Sequence, residues 1–156
     1  MTSTKAITLA CGIAILVLAS ARSLHAQVEI GTWVRQDTAS TTPSMTMDVE
    51  ACCHGGRRLT YHILIGETKS LLTVESPFDG TEVPVLINGK PSGETMAITR
   101  VDANHASAVV KMNGTAFGTS ESTLSADGKT LTVVNDFTSQ AGGQQAGKHT
   151  EIWVRK

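Results

Sequence analysis

Cys52, Cys53 and His54 stand in a row, the densest group of thiol and imidazole side chains in this 156-residue chain. Joined by His62 or His149, they would supply the sulfur and nitrogen donors that zinc takes in a tetrahedral site. The spacing argues against that chemistry. Structural zinc sites use separated ligands such as Cys-x-x-Cys, and adjacent residues of a strand point to opposite faces. The sequence therefore predicts no metal and no cofactor. The two cysteines read as small apolar residues near a strand end, one facing in and one facing out. A vicinal disulfide and an exposed thiol that pairs two copies are the alternatives.

A second set lies near the C-terminus, where His149, Glu151, Trp153 and Arg155 share one face of a strand. An imidazole and a carboxylate on one face can serve as an acid–base pair. Nothing in the sequence places a second catalytic group beside them. No Gly-x-Ser-x-Gly, phosphate loop or His-Glu-x-x-His is present, so no catalytic residue is assigned. An enzyme on this scaffold would have to use polar residues pointing inward, and Tyr61, His62, Glu121, Asn135 and His149 are its candidates. Asn113-Gly114-Thr115 matches a glycosylation sequon, but a tight Asn-Gly turn accounts for it.

Residues 1–26 do not belong with the elements that would hold these groups. Lys5 precedes an apolar run from Ala6 to Ala19, and the small, polar stretch Ser20 to Ala26 follows it. That order is the pattern of a secretory signal peptide, too short in its apolar core for a good membrane span. Cleavage after Ala26 is expected, with Ala19-Ser20-Ala21 as the other candidate. Cys11 sits in mid-run, which argues against a lipid anchor. The remaining segment, 27–156, is 130 residues long with a net charge of −3, since Lys5 and Arg22 leave with the leader. One domain with a real core fits that length. A mildly acidic, evenly mixed surface offers no footprint for nucleic acid or for a membrane once the leader is gone. Location is thus expected to be secreted or periplasmic.

Period-two alternation runs through segment 27–156. In Val28 to Arg35, Gly31, Trp33 and Arg35 share one face. Met45, Met47, Val49 and Ala51 alternate against Thr46, Asp48 and Glu50. Leu59, Tyr61, Ile63 and Ile65 do so against Arg58, Thr60 and His62. Shorter runs follow at Lys69 to Glu75, Val83 to Ile87, Glu94 to Val101, Ala106 to Met112, Thr115 to Leu124, Thr130 to Thr138 and Lys148 to Arg155. Pro84 marks an edge, a bulge or a strand end within its run. Asp37 to Pro43 and Ser139 to Gly147 read as loops. Asp79-Gly80, Asn88-Gly89, Asn113-Gly114 and Asp127-Gly128 supply the positive φ values that tight antiparallel turns need. No long 3.6-residue apolar stripe appears. The expected fold is all-β, an antiparallel up-and-down meander of about eight or nine strands closed into a barrel. A two-sheet sandwich is the structural rival.

Gly31-Thr32-Trp33 on a first strand resembles the Gly-x-Trp start of lipocalins and their calycin relatives. Asp127-Gly128-Lys129-Thr130-Leu131-Thr132-Val133 and the closing Trp153-Val154-Arg155 are similar to small secreted bacterial lipocalin-like proteins, mostly of unassigned function. The resemblance covers residues 29–156. It implies that the first and last strands are neighbours and that Gly31, Trp33, Trp153 and Arg155 close the barrel. Trp33 would then lie at the floor with the Arg155 guanidinium across its ring.

The inward face would carry Tyr61, Ile63, Leu72, Val74, Met96, Ile98, Met112, Phe117, Val133 and Phe137. These residues could pack solid or line a cavity. Scarce aromatics and adaptable methionines lean towards a cavity. The function expected is binding of a small hydrophobic or amphipathic ligand. A structural or interaction module of the cell envelope and a small barrel enzyme are the alternatives.

Overall fold

The computed structural model describes residues 29–36, 44–138 and 146–156. The expected leader at 1–26, the expected loop at 37–43 and most of the loop expected at 139–147 lie outside the described residues. The described chain forms ten strands: β1 (Gly31–Arg35), β2 (Ser44–Cys52), β3 (Gly56–Ile65), β4 (Thr68–Ser76), β5 (Asp79–Ile87), β6 (Lys90–Arg100), β7 (His105–Met112), β8 (Thr115–Leu124), β9 (Thr130–Phe137) and β10 (Gly147–Arg155). Each pairs antiparallel with its neighbour in sequence, and β1 also pairs with β10, Trp33 opposite Arg155 and Arg35 opposite Trp153. One continuous sheet therefore closes on itself, and the sandwich alternative is excluded. Closure leaves no unpaired edge.

Ten strands exceed the eight or nine expected. Each strand coincides with one of the ten alternating runs in the sequence, and the largest differences in length lie in β5 and β6, which begin four residues earlier than their runs. Pro84 and Pro91 both sit within strands, and the β5–β6 register shifts between Pro84 and Leu86. A bulge there accommodates residues that cannot donate to a ladder. Asp79-Gly80 is not a turn either. The chain reverses at Pro77-Phe78, with Phe78 at φ 61°, and Asp79-Gly80 opens β5 with a register shift before Glu82. Asn88-Gly89 and Asn113-Gly114 are two-residue hairpins with both φ values positive, as the mirror-image turns require. Asp127-Gly128 falls in the longer connection between β8 and β9.

Cys52 and Cys53 are joined as a vicinal disulfide, which corrects the expectation of one cysteine in and one out. The strand ends at Cys52, and Cys53 (φ 49°) and His54 (φ 54°) enter a short 3₁₀ turn, Cys53–Gly55. Alternation stops where the extended backbone stops, so nothing separates the two sulfurs.

The barrel has two ends. Glu29, Arg155 and the β2–β3, β4–β5, β6–β7 and β8–β9 connections share one; the β3–β4, β5–β6 and β7–β8 connections share the opposite one. At the first end, Trp33 and Trp153 are almost wholly buried among Met47, Val49, Leu59, Val74, Val85, Ile98 and Leu124. The Arg155 guanidinium lies 4.6 Å from the Trp33 ring centroid. Its Nη1 donates to Ile30 O (2.6 Å) and its Nε to Gly128 O (2.9 Å). Gly31 lets it pass: a Cβ there would stand 2.8 Å from Nη1, on a backbone with φ +140°. That geometry gives the Gly-x-Trp pattern its physical reason.

Glu29 seals this end. Its Oε1 accepts from Arg57 Nε (3.0 Å) and from Arg100, its backbone carbonyl accepts from Trp33 Nε1 (2.9 Å), and Arg57 donates on to the Gly56 carbonyl (2.8 Å).

Candidate functional site

Inward-facing side chains leave a cavity of about 790 Å³ running along the barrel. Tyr61, Ile63, Leu72, Met96, Ile98, Phe117, Val133 and Phe137 line it. Val74 and Met112 do not reach it. Val74 is sealed within the packed core at the Trp33 end, and Met112 packs behind the aromatic pair at the other end. Ile65 lines the cavity yet remains 60 % exposed, so it stands at the rim.

That aromatic pair comes from a backbone irregularity. The β7–β8 register shifts between Val110 and Lys111, which brings Phe117 inward although Gly118, its neighbour, also faces in. The Phe117 and Phe137 rings stack with centroids 5.7 Å apart. Gly118 is obligatory for this arrangement, because a Cβ would lie 2.0 Å from Phe137 Cδ1. The same bulge changes the parity of β8. Ser120, Ser122 and Leu124 now face inward, and Glu121 is exposed on the outer wall. Glu121 therefore cannot serve as an interior polar group.

His62 is also on the outer wall, where its Nε2 lies 2.9 Å from Asp48 Oδ2. Thr32 donates to the other Asp48 oxygen at 2.7 Å. Chiefly through that hydroxyl, and through His62, the Asp48 carboxyl is held below its usual range. With Cys52 and Cys53 bonded to each other, the thiolates a zinc site would need are consumed. His149 lies inside the barrel, away from His62 on its outer face. Among the described residues no cluster of three metal-ligating side chains occurs.

The interior polar groups include Tyr61, Glu94, Ser120, Asn135, His149 and the pair Arg35–Glu151. Ser120 Oγ donates to Asn135 Oδ1 (2.5 Å), and Asn135 Nδ2 lies 3.4 Å from His149 Nε2. The His149 ring packs on Phe137, centroids 5.5 Å apart. Glu151 does not pair with His149. Its Oε1 accepts from Arg35 at 3.4 Å and its Oε2 from Trp153 Nε1 at 3.2 Å. Tyr61 meets Trp153 edge-on at 5.8 Å, and burial, with the Glu151 charge adding, pushes its phenol above the usual range.

Glu94 differs from the rest. It is 8 % exposed, lines the cavity, and has no hydrogen-bond or ion-pair partner for its carboxylate among the described residues. Burial alone raises its pKa. Neither a nucleophile nor a second acid–base group is bonded to it. Sequence reasoning missed this residue, although a signal was present: Glu94 has the same parity on its strand as Met96 and Ile98.

No family model matches the chain, and no curated protein matches it. Among solved structures, the crystal structure of the wild-type fluorescent protein UnaG is similar, with a TM-score of 0.53 at 14 % identity, over 81 % of this chain and 96 % of that one. The likeness is one of fold: an antiparallel, closed β-barrel.

Proposed function

We propose that this protein is an exported carrier of a small, largely apolar molecule, held inside the barrel. The observation that supports this most is the interior cavity of about 790 Å³, walled mainly by aliphatic, methionine and aromatic side chains with polar and charged groups set among them. Ligand sites of about 300–1,000 Å³ have this composition. Burial supplies the affinity, about 0.8 kcal/mol per CH₂ removed from water. The polar groups orient the ligand. A structural module of the envelope would have less use for so large a void, which forfeits dispersion contacts along its lining. The leader at 1–26 would place the carrier in the periplasm or outside the cell.

Titration of the purified protein with Nile red, a neutral environment-sensitive dye, tests the reading. A saturable rise and blue shift of emission is expected, and a native mass spectrum should show a one-to-one adduct. No uptake by either measure would sink the carrier reading. Fractionation of cells expressing the full chain tests export; residence in the cytoplasm at full length would count against it.

A further inference from the structure

We propose that the cavity is selective for an amphipathic amine, with Glu94 receiving the cationic head and the apolar wall receiving the body. The inference rests on the carrier reading and names the ligand class for it.

Charge bookkeeping inside the barrel leads there. Three acids line the cavity, Glu29, Glu94 and Glu151. Glu29 is bonded to Arg57 and Arg100, and Glu151 to Arg35. The cavity's arginines are thus already facing carboxylates, so an anionic ligand would have to compete for them. Glu94 alone among these acids faces no cation among the described residues, though it is more than nine-tenths buried.

The strands on either side do not supply one, and the histidines that line the same cavity are engaged elsewhere, His105 with Asp102 and His149 beside Asn135 and Phe137. The neighbouring strands turn Val83 and Val85 from β5, and Val110 and Met112 from β7, to the same interior, none of them titratable. A buried carboxylate without a counter-charge is costly, and a charge-assisted hydrogen bond from a ligand relieves that cost. Met112, directly across the ladder from Glu94, packs against the cluster that Phe117 and Phe137 form with Val110. Aromatic faces one side chain away favour a cation over an anion.

The test is competition against Nile red by dodecylamine, dodecanol and dodecanoic acid, which share one chain length and differ in the head. In the wild type, the amine should displace the dye at a concentration about tenfold or more below that of the acid, the scale of one buried charge-assisted bond. Glu94→Gln, nearly isosteric, should retain dye uptake and lose the preference for the amine. Dye uptake with the acid equal to or better than the amine in the wild type overturns this proposal and leaves the carrier reading standing. So does a preference that survives Glu94→Gln. Failure of the wild type to take up the dye at all would overturn both.

Discussion

The Trp33 end of the barrel and its Phe117–Phe137 half are made from the same alternating strands but handle polar groups differently. Around Trp33 every cation is matched: Arg155 lies on an indole face and on two carbonyls, and Arg57 and Arg100 share Glu29. Met47, Val49, Leu59, Val85, Ile98 and Leu124 pack with the two tryptophans and also line that end of the cavity. Around Phe137 the aromatic pair, Asn135, His149 and Glu94 border open space, and Glu94 lacks a partner. The contrast teaches a division of labour. The first region holds the cylinder shut through paired charges, with Glu29 Oε2 its one buried side-chain oxygen lacking a hydrogen bond among the described residues. The second borders the void with a carboxylate, Glu94, that meets no cation there.

If that division is right, truncation at the floor should cost the most. Trp33→Ala removes a fully buried indole and the surface under Arg155, and should destabilise by about 3–5 kcal/mol in urea unfolding. A loss below about 1 kcal/mol, the net worth of a single hydrogen bond, would mean the floor is not the closure. Gly118→Ala is next, in the other region. Its new Cβ overlaps Phe137, so the ring must move, at a cost of about 1–3 kcal/mol. Adding Phe137→Leu should recover part of that loss; strict additivity in the double-mutant cycle would show that the two positions do not touch.

Replacing Cys52 and Cys53 together by serine should cost only about 1 kcal/mol, despite their place at the firm end. A bridge between sequence neighbours closes almost no loop and so constrains the unfolded chain little. A loss comparable with Trp33→Ala would assign the disulfide a larger part in the floor than this.

Glu94→Gln has a pH-dependent effect of opposite sign. Burial raises the folded-state pKa of Glu94 above its ordinary 4.5, so the folded protein holds that proton more tightly than the unfolded chain does. Stability from this group is intact below 4.5 and is lost as pH rises through the higher folded value. The variant should therefore match the wild type in acid, gain on it as pH rises from 4.5 upward, and then run parallel. A pH-independent difference would remove Glu94 from the unpaired set. The smallest effect belongs on the outer wall. Thr32→Val deletes the main cause of Asp48's lowered pKa, and carboxyl NMR titration should show that pKa moving up towards 3.8 with little change in stability.

Much of this was legible before any coordinates, for identifiable reasons. Side-chain parity in an unbroken strand depends on nothing but the extended backbone, so Tyr61, Ile63 and Leu72 on the inside follow from spacing, and the same parity puts His62 outside, against its candidacy as an inward polar group. Closure of the first strand on the last was written in the two tryptophan-bearing ends. Where backbone irregularity enters, parity fails. The β8 bulge turned Glu121 outward and Ser120 inward, and the turn at Cys53 brought two sulfurs together that a strand would hold apart.

By itself, then, the sequence determined the all-β meander, the hairpins at Asn88-Gly89 and Asn113-Gly114, and which face of each regular strand is apolar. Those properties are local, set by φ preferences and by a two-residue period. Only the tertiary structure decided that the interior is hollow rather than packed, that Val74 and Met112 stand back from the void, and that Glu29 and Glu151 meet arginines while Glu94 does not. Such outcomes depend on distances across the barrel, between residues far apart in the chain, and no local pattern encodes them.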